Sequence, residues 1–240
     1  MDAPLLIIEA GRPALPLRRH GSFPHWIRVA AGLPAEAVVV APVMHGTPLP
    51  RRDGFAGVIV SGSAAMVTQR HDWSEGTAQW LCEAAQAGMP LLGLCYGHQL
   101  IAHALGGEVD DNPAGREMGT VEIALTPEAA DDPLFRSMPP RFRVQTTHRQ
   151  SVLRLPEGAR LLATSSQDPC HAFRWGEHVW GLQFHPEFST MHMRGYLGAR
   201  AEVLRREGRC PVEAAGSVRA APRARALLRR FVHHARALVA

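Results

Sequence analysis

The 240-residue sequence lacks lysine, since all 26 of its basic residues are arginine. This bias is typical of GC-rich codon usage, and most of the arginines are scattered singly among acidic residues. The exception is the C-terminal stretch, where arginines cluster at Arg219, Arg223, Arg225, Arg229, Arg230 and Arg236. Such a cluster suits a surface for nucleic acid or acidic lipid, but the pattern favours a solvated helix face. We therefore expect no nucleic-acid partner.

Cysteines are few, and long apolar runs are absent. The four cysteines, Cys82, Cys95, Cys170 and Cys210, follow no regular spacing, which argues against a disulfide framework and for a reducing cytosol. No stretch approaches the roughly 18 apolar residues that a membrane span requires. The first ten residues have an acid at position two and too short an apolar run for a signal peptide. We expect a cytoplasmic protein with no membrane partner.

Two kinds of binding motif are also missing. The chain contains no G-x-x-x-x-G-K-[ST] phosphate loop and no other nucleotide-binding signature. Cys95 with His98, and Cys170 with His171, lie close in sequence, but neither pair has a second pair at the spacing of a zinc finger. We therefore predict neither a metal site nor a cofactor.

The first half of the chain alternates between two patterns. Short apolar runs bounded by Pro, Gly or small residues predict buried parallel strands at 4–10, 36–43, 54–63 and 89–94. Helical spacing lies between them at 23–33 and 72–88, the second opening with a capping-box pattern at Asp72 and Glu75. This alternation predicts an α/β fold with an open, mostly parallel twisted sheet and helices on both faces, as in flavodoxin-like proteins.

The second half has a different texture. From residue 119 the chain consists of short segments separated by turn residues, which predict an antiparallel extension of the sheet. Apolar spacing then predicts a helix at 189–206, and an amphipathic helix follows Pro222. We expect residues 1–206 to form the main domain and 207–240 a C-terminal extension with an arginine-rich helix. That helix either docks on this domain or meets a partner.

The strongest local signal is the pentapeptide Gly93-Leu94-Cys95-Tyr96-Gly97, directly after an apolar run. The G-x-C-x-G spacing is that of a nucleophile elbow, in which the glycines permit a tight strand-to-helix turn. The helix N-terminus then stabilises a Cys95 thiolate, and the backbone N–H of Tyr96 points at an oxyanion. The alternative interpretation is a buried structural cysteine.

A partner for the cysteine is present at the end of a later strand, in the sequence His185-Pro186-Glu187. Proline keeps the residue before it extended, and residues i and i+2 of an extended chain project to the same side. Glu187 can therefore orient the imidazole of His185, which would act as the base for Cys95. As an isolated feature, the same tripeptide is typical of a turn with a surface carboxylate.

Together these motifs resemble a known family. G-L-C-Y-G-H-Q (93–99) and F-H-P-E (184–187) look like class I, or triad-type, glutamine amidotransferases, in particular stand-alone relatives of the amidotransferase domain of GMP synthase. Three further segments match in order: "GVIVSGSAAMV" (57–67), "GREMG" (115–119) and "TTHRQSV" (146–152). The resemblance covers roughly residues 5–190 and leaves the C-terminal helix outside.

The resemblance implies a reaction and a set of site residues. The family hydrolyses the side-chain amide of glutamine, with Cys95 as nucleophile, His185 as proton donor and acceptor, and Glu187 as the orienting carboxylate. Backbone N–H groups of Ser63 and Tyr96 would hold the oxyanion. The predicted substrate-binding residues are Gly62, Gln99, Thr147 and His148, and for Gln99 the alternative is a helix-surface amide.

The ammonia acceptor and the true substrate stay open. Ammonia would pass to a synthetase on a separate partner protein, or the enzyme would work alone on L-glutamine or another γ-glutamyl compound. A γ-glutamyl peptidase would use the same thiol chemistry on a larger leaving group. A third alternative is a regulatory or binding module that is active only in a complex, with residues 222–240 as its docking element.

Overall fold

A computed structural model describes residues 3–239. The strands in this range are β1 (Leu5–Ile8), β2 (Val38–Ala41), β3 (Gly57–Val60), β4 (Leu91–Leu94), β5 (Glu108–Asp111), β6 (Glu117–Leu125), β7 (Arg141–His148), β8 (Gln150–Arg154), β9 (Ala159–Thr164), β10 (Ala172–Trp175) and β11 (Val179–Leu182). The helices are α1 (Phe23–Ala31), α2 (Asp72–Gln86), α3 (Tyr96–Ala104), α4 (Thr190–Ala199), α5 (Ala201–Arg206), α6 (Pro211–Gly216) and α7 (Pro222–Ala237).

A nine-stranded sheet with the order β2-β1-β3-β4-β11-β10-β9-β6-β7 forms the centre of the molecule. The neighbours from β2 to β11 run parallel. The pairs from β11 to β7 are antiparallel, and β5 and β8 form a separate antiparallel pair. The predicted parallel sheet with an antiparallel extension is confirmed. Strands β1, β3 and β4 are buried throughout because helices cover both of their faces.

Alternation along β1 divides the core into two layers. Leu5 and Ile7 face a layer that contains residues of α1 and α7, whereas Leu6 and Ile8 face residues of α2 and α3. Helices therefore pack on both faces of the sheet, as the alternating sequence pattern predicts. Within residues 3–239, no helix is both long and apolar enough to span a bilayer.

The arginine-rich C-terminal helix α7 packs on its own domain. Its apolar stripe is buried in the layer shared with α1, and the ring of Phe231 meets that of Trp180 edge to face at 6.2 Å between centroids. Of the two predicted arrangements, docking on this domain is the one observed. The arginines of α7 lie on its other faces, so α7 has the amphipathic pattern expected from the sequence.

Two details of the predicted helices are wrong. Asp72 is the first residue of α2, and the preceding cap residue, His71, makes no side-chain capping bond, so the expected capping box is absent. The single helix predicted at 189–206 is interrupted at Arg200, which separates α4 from α5. Gly195 and Gly198 lie just before this break, and glycine weakens a helix because it has a large conformational entropy to lose.

Candidate active site

Cys95 occupies a strained turn between β4 and α3. Its φ of 52° and ψ of −99° lie in a region that non-glycine residues rarely adopt. The flanking glycines are sterically required: a Cβ on Gly93 would lie 2.3 Å from the carbonyl oxygen of Gly97, and a Cβ on Gly97 would lie 2.5 Å from that of Val60. The G-x-C-x-G spacing therefore forms the tight elbow that the sequence indicates.

The Cys95 side chain is buried at the floor of a small cavity. It is 6% exposed, and its Sγ lies 3.7 Å from the carbonyl oxygen of Thr147. His185 lines the same cavity, and Cys95 contributes to raising the pKa of that histidine. Tyr96 is the first residue of α3, where the backbone N–H has no acceptor within the helix. That amide and the positive end of the helix dipole therefore lie beside the sulfur.

His185 is held on three sides. Its backbone N–H donates to Gln145 O at 2.8 Å, and its Nδ1 donates to Glu187 Oε1 at 2.8 Å. The ring stacks on Phe188, with centroids 4.0 Å apart and planes 14° apart. Burial alone would lower the pKa of His185, but the charges of Glu187 and Cys95 outweigh it and raise that pKa to about 10. His185 is therefore an imidazolium at neutral pH.

The loop after β3 closes against the same histidine. A Cβ on Gly62 would lie 2.9 Å from His185 Cε1, so a glycine is needed there for the imidazole to keep its position. Ser61 anchors the loop, since its Oγ accepts from the N–H of Ala10 at 3.0 Å and donates to Gly62 O at 3.1 Å. These bonds hold the loop in place.

The structure gathers some of the predicted site residues around one cavity and leaves others behind its wall. Cys95, His185, Thr147 and Ser63 line a cavity of about 140 Å³. Glu187 is 1% exposed and lies behind His185. The Tyr96 phenol points away into the core, where it bonds Ser74 Oγ at 2.6 Å and burial raises its pKa to about 12, so only its backbone faces the cysteine.

Gln99 and His148 do not line this cavity. Gln99 Nε2 donates to Gln150 O at 2.7 Å and to Gln183 Oε1 at 2.9 Å. His148 Nδ1 donates to the same carbonyl of Gln150 at 2.9 Å. Both side chains are buried supports of the segment that follows Thr147. Their predicted role in contacting substrate stays a prediction, and the geometry assigns them first to positioning that segment.

His148 belongs to a buried polar cluster that sequence spacing did not indicate. Glu117 Oε2 accepts from His148 Nε2 at 3.1 Å and from His171 Nε2 at 2.5 Å, while Glu117 Oε1 accepts from Ser165 Oγ at 2.5 Å. Burial opposes ionisation of Glu117, but these hydrogen bonds hold its pKa well below the usual range. Glu117, His148 and His171 are residue types that bind metals. Their ligand atoms are already hydrogen-bonded to one another, so we interpret the cluster as a structural network.

The outer wall of the cavity is basic, which the sequence analysis missed. Arg12, Arg18 and Arg200 line it together with Tyr196. Arg12 follows β1, and the rule that ligands bind at the carboxyl ends of parallel strands could have singled it out. Arg18 and Arg200 carry no such signal, because only the tertiary fold brings the segment 15–20 against α4.

Comparison with known proteins places the chain in a family. The model of the family described as glutamine amidotransferase class-I matches residues 29–198. The chain belongs to this family. Its amidotransferase region is 41% identical over 143 residues to the GMP synthase [glutamine-hydrolyzing] of Aeropyrum pernix, which covers 59% of this chain and 25% of that protein. The corresponding enzyme of Thermomicrobium roseum is 41% identical over 132 residues, which are 55% of this chain and 23% of that protein. The chain thus matches about a quarter of the length of these relatives.

The fold also matches a solved structure. A glutamine amidotransferase from Thermotoga maritima superposes with a TM-score of 0.79 at 20% identity, covering 98% of this chain and 99% of that one. The resemblance in fold therefore extends through the C-terminal helices, beyond the part that the family model matches. Membership of the family supports glutamine hydrolysis as the activity of this chain, and the predicted family and fold are confirmed.

Proposed function

We propose that this chain hydrolyses the side-chain amide of glutamine through a covalent Cys95 thioester, with Cys95, His185 and Glu187 as a catalytic triad. The observation that carries the proposal is that Cys95 and His185 line one cavity, and that His185 is hydrogen-bonded on its far side to the buried carboxylate of Glu187. Each member has the neighbour that its role requires: a nucleophile beside a proton acceptor, and that acceptor beside an orienting carboxylate.

The first step is attack by the Cys95 thiolate on the γ-carboxamide carbon of glutamine. The carbonyl oxygen gains negative charge and is held by the backbone N–H groups of Ser63 and Tyr96. Preorganised donors of this kind contribute about 3 kcal/mol each to the barrier reduction. Gly62 lets the Ser63 loop approach the site, and the carbonyl of Thr147 orients the thiol.

The second step is loss of ammonia. The His185 imidazolium gives its proton to the leaving nitrogen as the C–N bond breaks, and the γ-glutamyl group stays on Cys95 as a thioester. The neutral imidazole then takes a proton from water, and the hydroxide attacks the thioester. Glutamate leaves and the thiolate is restored. Glu187 keeps the imidazole in the tautomer that both steps need.

The ammonia acceptor lies, in this proposal, on a separate synthetase partner. The GMP synthases that the chain resembles are about four times as long as the matched region, and the 240 residues contain no phosphate loop for activating an acceptor. We further propose a cytoplasmic location. Residues 1–206 would form the amidotransferase domain and 207–240 its C-terminal extension.

The test is release of glutamate and ammonia from L-glutamine by the purified chain and by Cys95→Ala and Cys95→Ser variants. We expect release by the parent chain, and a loss of more than about 1,000-fold in both variants because no neighbouring group replaces the thiolate. Cys82→Ala is the matched control, since Cys82 lies on α2 away from the cavity, and it should retain full turnover. Undiminished turnover in Cys95→Ala would refute the mechanism. Activity that arises only when a partner is added would favour the conditionally active module.

A further inference from the structure

The wall of the Cys95 cavity carries three positive charges that take no part in the proposed bond-breaking steps of glutamine hydrolysis. Arg12, Arg18 and Arg200 all line the cavity, and no carboxylate lines it among the described residues. None of the three arginines forms an ion pair with a carboxylate within 4.0 Å among residues 3–239. Glu9 interacts electrostatically with Arg12, so the charge of Arg12 is partly compensated.

This wall is a fixed part of the fold. The segment 15–20, which carries Arg18, packs on α4, and a Cβ on Gly195 would lie 2.4 Å from the Leu17 side chain. The backbone N–H of Ala14 donates to the Tyr196 hydroxyl at 3.3 Å. Arg18 Nε donates to Pro13 O at 3.0 Å, and within residues 3–239 the other guanidinium nitrogens of Arg18 have no hydrogen-bond partner. The backbone segments that carry Arg18 and Arg200 are therefore packed against each other beside the cavity.

The position of the arginines indicates which part of a substrate they meet. Arg12 and Arg18 are exposed and Arg200 is half-buried, whereas Cys95 is 6% exposed, so the arginines lie on the solvent side of the cavity, which is its open end. The γ-carbonyl of a substrate must reach Cys95. Because the cavity is only about 140 Å³, a leaving group larger than ammonia extends towards the open end.

The charge of each part of the substrate also indicates which leaving group the arginines would bind. A γ-glutamyl group carries one ammonium and one carboxylate and is neutral overall, and the ammonia released from glutamine brings no anion. An amino acid as leaving group adds a carboxylate close to the scissile nitrogen. Guanidinium groups bind carboxylates through paired, charge-assisted hydrogen bonds, so an anionic leaving group suits this wall better than ammonia does.

We infer that Arg12, Arg18 and Arg200 form a subsite for the carboxylate of the leaving group, so that the chain hydrolyses γ-glutamyl amino acids and peptides in preference to γ-glutamyl amides with a neutral leaving group. The inference rests on the proposed thioester mechanism. The γ-amide C–N bond breaks, His185 protonates the leaving amino acid nitrogen, and water converts the thioester to glutamate.

The experiment compares kcat/KM for γ-glutamylglycine with that for γ-glutamylethylamide, which has a leaving group of similar size without a carboxylate. γ-Glutamylglutamate adds a second carboxylate, and L-glutamine tests the proposed function alone. We expect the parent chain to prefer γ-glutamylglycine over the ethylamide by about tenfold or more, the effect of a hydrogen bond to a charged group. The kcat/KM for γ-glutamylglutamate should be higher than that for either of these compounds.

Variants of the three arginines test whether they cause the preference for γ-glutamylglycine. The triple variant Arg12→Gln, Arg18→Gln, Arg200→Gln should bring the ratio of γ-glutamylglycine to ethylamide close to one. Arg19→Gln is the matched control, because Arg19 lies on the same short segment and does not line the cavity, and among residues 3–239 its side chain bonds only to His20. This variant should keep the parent ratio. A ratio near one in the parent chain, or an unchanged ratio in the triple variant, overturns the inference.

Failure of the mechanism is distinguishable from failure of the subsite. If the parent chain releases no glutamate from any of the four compounds, the proposed function fails. Calorimetric binding of γ-glutamylglycine to Cys95→Ala, with and without the three arginine substitutions, then tests the subsite without turnover. Binding at least tenfold weaker in the quadruple variant supports it, and equal binding overturns it.

Discussion

His185 and Glu187 are joined by a hydrogen bond of 2.8 Å from imidazole Nδ1 to carboxylate Oε1. Only Pro186 separates them, and its ring keeps His185 extended so that the two side chains project to the same side. The second carboxylate oxygen, Oε2, has no hydrogen-bond partner among residues 3–239. In the described part of the chain, the imidazole is therefore the only group that hydrogen-bonds to the Glu187 carboxylate.

Glu187→Gln should reduce glutamine turnover by about 100-fold to 10,000-fold, the range found when the orienting acid of such a triad is removed. The substitution preserves size but removes the charge that stabilises the His185 imidazolium. Steady-state glutamate release measures the effect. Glu157→Gln changes an exposed carboxylate far from the cavity and serves as the control. Equal loss in both variants would indicate damage to the fold rather than to the triad.

The raised pKa of His185 predicts how activity depends on pH. The imidazolium donates the proton to the leaving nitrogen, so turnover should persist above neutral pH and fall as the pH rises through the His185 pKa of about 10. The native pKa of His185 lies above its unfolded value of about 6.5. Protonated His185 therefore stabilises the fold fully below about pH 6.5, and this stabilisation is lost as the pH rises towards 10.

Rate profiles from pH 6 to 11 measure this fall in turnover at high pH, the alkaline limb of the profile. Circular dichroism at each pH confirms that the chain stays folded. In Glu187→Gln the limb should move to lower pH, since the largest factor raising the His185 pKa is the Glu187 charge. A limb that stays in place in this variant would show that another group controls it.

The steric fit between Gly62 and His185 predicts a large effect of one methyl group. In Gly62→Ala the added Cβ would lie 2.9 Å from His185 Cε1, so the imidazole or the oxyanion loop must shift. We expect turnover to fall by about 100-fold or more, since small misplacements of catalytic groups have effects of that size. Gly76→Ala, in the exposed part of α2 with no atom within 4 Å of the new Cβ, should keep turnover and add about 0.5–1 kcal/mol of stability.

The sequence predicted those parts of the site that depend on local geometry. The elbow at Cys95 follows from two glycines at fixed spacing, and the His185–Glu187 pair follows from a proline between them. The parallel strands follow from short buried apolar runs. Residues brought together from distant segments were not predicted: the arginines of the cavity wall come from three segments, and Glu117 joins His148 and His171 across three strands or strand ends. Neither group has a periodic or spaced signature.

Burial of His98 predicts a loss of stability in acid. The ring is fully buried against Phe173, and neither nitrogen has a hydrogen-bond partner among residues 3–239. Burial lowers its pKa to about 3. Below about pH 6.5 the unfolded chain binds a proton that the native state does not, so His98 should remove up to about 1.4 kcal/mol of stability per pH unit.

Urea unfolding at pH 7, 6, 5 and 4 measures how the free energy of unfolding changes with pH in the parent chain and in His98→Met. The methionine places an apolar side chain that does not titrate against Phe173. The variant should lose less stability between pH 6 and pH 4 than the parent chain does. His233→Gln replaces an exposed histidine on α7 and should leave the slope as it is. Parallel curves for parent and His98→Met would contradict the prediction.

Packing of α7 predicts that the C-terminal extension is needed for the stability of the whole domain. Phe231 is fully buried and meets Trp180, a residue of β11 directly before the segment that carries His185. Phe231→Ala should therefore cost about 3–5 kcal/mol and lower Tm by roughly 6–20 °C. Leu238→Ala, where the side chain is 49% exposed, should change Tm little. An unchanged Tm in Phe231→Ala would mean that α7 leaves this surface in solution and is free to meet a partner. A large loss, with turnover per folded molecule preserved, would mean that the helix serves the fold and that any partner must dock elsewhere.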